Sequence, residues 1–227
     1  MNSNELRNRV IELTDAQPTE VNNVYKESLR ALLNLMGGIY YIDGNGNEVK
    51  CKCIHGNPER MASIIYSDNT LILPLLSVSE MSTENDDSRR RYNKIVVNET
   101  SWDPKKKRAV RVLSVAPRPV TLTYEVNVWS KYKADLDMIR SSIYSLFNPD
   151  VSLRTKFSDY SKAFVVSESD IGTSIAADTQ DRVLRKSITI SLQTYIPFPK
   201  FMVTSTGEIV PDKFKAEVTV QEDNPRK

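Results

Sequence analysis

Two segments alternate apolar and polar residues for so long that only an extended backbone can keep the two sets apart. Over residues 119–129, Val120, Leu122, Tyr124, Val126 and Val128 interleave with Thr121, Thr123, Glu125, Asn127 and Trp129. Over residues 187–196, Ile188, Ile190, Leu192, Thr194 and Ile196 interleave with Ser187, Thr189, Ser191, Gln193 and Tyr195. A period of two places each set on its own face of a pleated strand, whereas a helical period would scatter both sets around the surface. The chain therefore commits to a sheet with one core face and one semi-polar face.

That core face needs a cover, and two segments have the period to supply it. Over 131–147, Tyr132, Leu136, Ile139, Ile143 and Leu146 recur at helical spacing until Asn148-Pro149 stops the run, since proline cannot continue a helix. Its Leu136, Ile139 and Ile143 face is expected to pack on the 119–129 strand. Over 19–37, Val21, Val24, Tyr25, Leu29, Leu32, Leu33 and Met36 repeat at spacings of three and four, with Thr19 as a candidate cap and a glycine pair at the end.

Strand signals occupy most of the remainder. IYYID and EVKCKCI flank the turn-rich GNGN and predict a hairpin over 39–54. The 67–81 stretch holds LILPLLSVS, where Pro74 suggests an edge or bulged strand, and the polar STENDDSRRR then reads as an exposed loop over 82–91. Val96 and Val97 mark a short strand, KKKRAVRVLSVA another, and Asp103-Pro104 a turn between them. FMVTSTGEIV and FKAEVTV read as a last hairpin or arm, with the polar QEDNPRK end frayed. The expected fold is α+β, a mainly antiparallel sheet with two principal amphipathic helices packed on it. Residues 1–198 are expected to form one domain, and 199–227 a C-terminal hairpin or arm.

Composition narrows the function classes. Lys and Arg number 31 against 29 Asp and Glu, so the net charge of +2 provides no global field for a duplex or an anionic membrane. No run approaches the roughly 18 apolar residues of a membrane-spanning helix, and MNSNELRNRV lacks the apolar core of a secretory signal. A soluble chain that stays where it is made is expected. The two cysteines, Cys51 and Cys53, stand on one strand face too close in sequence to bridge comfortably, which fits a reducing setting.

The residues for catalysis are sparse. His55 is the one histidine, and no G-x-S-x-G elbow accompanies it. Cys51, Cys53 and His55 alternate like metal ligands, but no second Cys/His pair follows to complete a zinc set. Asp43, Asn45 and Asn47 resemble the opening of a calcium loop, yet Glu48 and Ile54 stand where its glycine and its bidentate glutamate belong; a hairpin turn explains the same residues. No phosphate-cradling glycine motif is present. No catalytic, cofactor or metal residue is therefore assigned, and no enzyme activity is expected. Two basic runs remain as candidate interface, Arg89, Arg90 and Arg91, and Lys105, Lys106 and Lys107. Such runs are solvated loop faces, partner-docking patches or phosphate contacts, and no aromatic residues interleave with them as a single-strand stacking surface requires.

The order of segments carries a further signal. VYKESLRALLNLMGGIYYID, NPERMASIIYSDN, LILPLLSVSEMSTENDDSRRR, PRPVTLTYEVNVWSKYKADLDMIRSSIYSLFNP and DRVLRKSITISLQTYIPF follow one another over residues 21–198. This series resembles the tail terminator or proximal tail-sheath stabiliser family of contractile-tailed bacteriophages, most sharply over 119–149. Residues 199–227 fall outside the resemblance, and 67–91 match it only in part. The resemblance implies a structural virion protein, assembled in the host cytoplasm, that forms a homohexameric ring at the head-proximal end of the tail. Its implied partners are further copies of itself, the tail tube and sheath proteins and the neck or head-connector proteins, with no membrane and no nucleic acid beyond DNA passing through the ring lumen. Another neck or baseplate subunit is the nearest alternative, and a small nucleic-acid-binding module using the basic runs is a second.

Overall fold

The computed structural model describes residues 3–16, 21–44, 46–67, 72–89, 95–103, 107–155, 158–171, 183–204 and 206–211. The helices are α1 (Ser3–Asp15), α2 (Val21–Met36), α3 (Pro58–Ser67) and α4 (Lys133–Leu146). The strands are β1 (Tyr40–Ile42), β2 (Glu48–Lys50), β3 (Lys52–His55), β4 (Leu75–Asn85), β5 (Val96–Asp103) and β6 (Arg108–Val115), followed by β7 (Arg118–Ser130), β8 (Val151–Thr155), β9 (Ser158–Ile171), β10 (Leu184–Ile196), β11 (Lys200–Val203) and β12 (Ile209–Pro211). The α+β class and the mainly antiparallel sheet match expectation, but the described residues form four helices where two principal ones were expected. The chain divides into two compact units, one of Glu20–Arg90 and Pro117–Pro197, the other of Met1–Thr19, Arg91–Ala116 and Phe198–Lys227.

The larger unit is built on a six-stranded sheet in the order β3-β4-β7-β10-β9-β8. The two alternating segments are its centre: β7 and β10 pair antiparallel from Leu184 opposite Ser130 to Ile196 opposite Arg118. Their apolar sets, Val120 to Val128 and Ile188 to Leu192, face one core with Val24, Leu32 and Met36 of α2 and Leu136, Ile139 and Ile143 of α4. The α4 docking face is the expected one. Ser130 fixes the entry to that helix, its hydroxyl accepting from the Tyr132 amide at 3.1 Å and donating to the Tyr132 carbonyl at 2.9 Å. The helix over 19–37 is found as α2; its candidate cap, Thr19, lies outside the described residues.

The opposite face of the sheet is covered at one end by α3. Met61 of α3 packs with Leu75, Trp129 and Val183, and Ile54, Ala62, Ile64, Ile65 and Leu73 close around them. This helix links β3 to β4, which explains why that pair alone is parallel: a parallel neighbour needs a crossover, and α3 is the crossover. The expected 39–54 hairpin is thus shorter. β1 and β2 pair antiparallel, but the chain leaves the hairpin at Cys51 and joins the main sheet as β3.

Pro74 also plays a different part from the one expected. It stands just before β4, so the strand keeps all its amide donors; over residues 75–78 the strand lies between β3 and β7, and only its 79–85 part is an edge among the described residues. The strand is bulged, as the alternative allowed, but at Met81, between Glu80 and Ser82. β4 runs on to Asn85, so the exposed loop begins later than residue 82. β3 covers β4 only over 75–78, leaving 79–85 paired to β7 alone among the described residues. β8 likewise covers β9 only as far as Ala163, so among the described residues 164–171 pair with β10 alone.

The smaller unit carries a four-stranded sheet, β12-β11-β6-β5, in which every pair is antiparallel. β5 and β6 pair from Val96 opposite Val115 to Asp103 opposite Arg108, and Pro104 of the expected turn lies outside the described residues. The last hairpin differs from the expected one around Pro211: β11 and β12 both lie within residues 200–211, the FMVTSTGEIV stretch and one residue either side, and turn at Gly207, φ +84°, a backbone region that suits glycine. Helix α1 lays Leu6, Val10, Ile11 and Leu13 against Leu113, Val115 and Phe201. FKAEVTV and the QEDNPRK end lie outside the described residues.

Candidate interaction surface

Arg89 is the described member of the first basic run, while Arg90 and Arg91 lie outside the described residues. It does not stand free in solvent. The Asp86 carboxylate accepts from the Ser88 hydroxyl at 2.5 Å, from the Arg89 amide at 3.1 Å and from Arg89 Nε at 2.5 Å. Arg89 Nη2 donates to the Val120 carbonyl at 3.2 Å, and the guanidinium carbon lies 5.2 Å from the centroid of the Tyr195 ring. The Asp86 amide donates to the Pro119 carbonyl at 3.3 Å, and Arg118 donates to Asn85. Together these bonds fasten the end of β4 to β7 and β10. The hydrogen bonds from Ser88 and then Arg89 hold the Asp86 carboxyl down at about 2. Arg89 therefore serves its own fold, with its side chain 24% exposed for any outside contact.

Of the second run, Lys107 is described, immediately before β6 in the smaller unit. Lys107 is exposed and takes a left-handed backbone, φ 48°. Lys105 and Lys106 lie outside the described residues. At the far end of β5, Trp102 leaves 63% of its surface in solvent.

The cysteines and the calcium-like residues have structural roles. Cys51 is buried and Cys53 half-buried against the main core, and burial pushes both thiols up to about 12, far from the thiolate that a metal or a nucleophilic reaction needs. Asp43 accepts from the Asn47 amide at 2.8 Å and from Asn47 Nδ2 at 3.3 Å, while its carbonyl accepts from Gly46, which stands at φ +84°. These are the bonds of a closed hairpin turn. Among the described residues no group of three or more His, Cys, Asp and Glu could hold a metal ion.

Sequence reasoning missed the polar network on the semi-polar face of β7 and β10. Arg185 Nε donates to Asn127 at 2.7 Å and its Nη2 to Glu125 at 3.3 Å, Ser187 donates to Glu125 at 2.7 Å, and the guanidinium lies 5.1 Å from the Trp129 ring centroid. Trp129 Nε1 in turn donates to Ser77 at 2.9 Å. The alternation identified the face; only the cross-strand register shows that these residues meet. This network borders an open groove of about 630 Å³ lined by His55, Arg60, Glu80 and Met81. Also missed were large apolar side chains left in solvent: Ile72 at 77%, Tyr132 at 68%, Met81 at 59% and Val166 at 57%.

The described residues thus form an α+β protein in which Arg89, Arg185 and Lys186 are bound to carboxylates of their own unit, while Ile72, Met81, Tyr132 and Val166 are exposed apolar side chains. A family model described as the T4-like virus Myoviridae tail sheath stabiliser matches residues 59–224, and the chain belongs to that family. It is a tail-associated structural protein of the virion. The match reaches well past residue 198, so most of the C-terminal segment that the resemblance left out is part of the family pattern, while residues 21–58 lie before it. No curated protein matches the chain.

Proposed function

We propose that the chain forms a homohexameric ring that caps the finished tail tube and sheath and presents the surface to which the head connector docks. The observation that carries this reading is the family match over 59–224, which takes in residues of both compact units. The physical character of the subunit supports it. A ring needs two different patches on each copy, and solvent-exposed Tyr132, Ile72 and Trp102 are apolar surface that neighbours can cover. Arg90, Arg91 and Lys105, Lys106 and Lys107 remain the candidate docking cations, while Arg89 is bound within its own fold. DNA meets the protein only in passing through the lumen.

The reading is tested in particles whose copy of this chain is deleted. Tails of uncontrolled length, or tails that fail to join heads, are expected, with rescue by the chain supplied in trans. Tails of normal length joined to heads would overturn it.

A further inference from the structure

The main sheet is wider at its centre than at its rims, and the shortfall is lopsided. Among the described residues, β3 leaves the 79–85 part of β4 without an outer partner, and β8 leaves the 164–171 part of β9 without one. Open strand edges are commonly blunted by charge, proline or a covering element, because a row of unpaired amides and carbonyls invites another strand. These two edges do the reverse at one point each. Both strands carry a bulge, at Met81 and at Val166, and a bulge re-aims its extra residue. The residues so turned out are apolar and lie 59% and 57% in solvent.

The two edges fit each other and do not fit themselves. Passing from β4 through β7 and β10 to β9, every step is antiparallel, so β4 and β9 run in opposite directions. A second copy set beside the first in the same orientation therefore brings its β4 antiparallel to the first copy's β9. The open stretches are of similar length. Against β7, the β4 stretch lies level with 120–125 and the β9 stretch, through β10, level with 123–129. Their centres differ by three to four residues, about 12 Å along the strand. This stagger leaves room for β3 of one copy and β8 of the other beyond the two ends of the contact. A constant advance along the strand from copy to copy is what strands inclined to the axis of a closed ring require. The β9 edge also brings no net charge against Glu80 and Glu84 of β4. Glu168 is held by Lys186 Nζ at 2.5 Å and Arg140 Nε at 2.8 Å, and Asp170 lies 3.2 Å from the same lysine.

We infer that neighbouring copies in the ring join by pairing the open 79–85 edge of β4 with the open 164–171 edge of β9, Met81 and Val166 supplying the apolar contact. This inference rests on the ring reading and names its interface. Because the contact joins two different patches, it is head-to-tail and propagates around a ring, where a self-matching patch would stop at a dimer.

The test uses full-length chains with one edge blocked at a time, Met81→Lys and Val166→Lys, with mass read by sedimentation and fold by melting temperature. Each variant alone should be monomeric with an unchanged melting temperature. Mixed in equal amounts they should form a dimer and nothing larger, since each contributes one intact edge. As a second measurement, a chain carrying both Thr83→Cys and Ser167→Cys should give an oxidised ladder of multimers, with either cysteine alone giving none. A wild-type ring that survives both lysines, or a double-cysteine ring that yields no ladder, overturns the edge pairing while leaving the ring. Dimers from a single-cysteine variant overturn the head-to-tail contact. A wild-type chain that stays monomeric at every concentration overturns the ring reading itself, and the edge pairing with it.

Discussion

Ile139 is the side chain on which the placement of α4 depends most. It is fully buried between the helix and the β7–β10 centre of the sheet. Replacing it by alanine removes three carbon atoms from a packed environment. At about 0.8 kcal/mol for each buried carbon the transfer loss is about 2.4 kcal/mol. The cavity left by incomplete collapse raises the total to about 3 to 4 kcal/mol, inside the range of roughly 2 to 5 for such truncations. The tryptophans allow the larger unit to be followed separately, because Trp129 is buried in it and exposed Trp102 belongs to the smaller unit. In a Trp102→Phe background, urea unfolding read by Trp129 fluorescence should show Ile139→Ala losing that amount. Ser141→Ala, on the exposed side of the same helix, should stay within about 0.5 kcal/mol. A loss below about 1 kcal/mol at Ile139 would show that the helix does not lie on the sheet as described.

Three further outcomes are expected. Arg89→Ser should lower the melting temperature of the larger unit, because it removes the contacts to Asp86, Val120 and Tyr195, while Lys107→Ser should leave the temperature unchanged; equal temperatures for the two variants would contradict the anchor role. Acid unfolding should carry the signature of Asp86: its carboxyl is held at about 2 against an ordinary 3.8, so its contribution is present above 3.8 and is lost as the pH falls through 2. Asp86→Asn should flatten that part of a stability-against-pH curve and leave the neutral range parallel to wild type. With both thiols pushed up to about 12 by burial, Cys51 and Cys53 should resist iodoacetamide at pH 8 in the folded chain and react in urea, as mass spectrometry would show; rapid labelling of the folded chain would contradict their placement.

Much of the larger unit was legible because its centre obeys simple periods. The alternation of 119–129 and 187–196 gave β7 and β10, and the spacing of Leu136, Ile139 and Ile143 gave the docking face of α4. The helix α3 was missed although its start carries a plain signal: Pro58 at the first helical position, with the Asn57 side chain accepting from the Glu59 amide at 3.0 Å. The helix α1 has few apolar residues, and its stripe gains meaning only from Leu113 and Phe201, which come from distant parts of the chain. β8 and β9 were not anticipated because serines and charges fill the solvent side of a rim strand and blur the alternation. Arg89 looked like an exposed cation because its partners Val120 and Tyr195 are far away in sequence. The open edges could not be read at all, since they arise from the unequal lengths of neighbouring strands.

Electron cryo-microscopy of intact particles tests the central claim most directly. The account predicts a closed ring of six copies at the head-proximal end of the tail, seated on the last layer of tube and sheath, with the six-stranded sheet of each copy fitting the density. Density for this chain at the baseplate, along the sheath, or as isolated copies at the neck would contradict it.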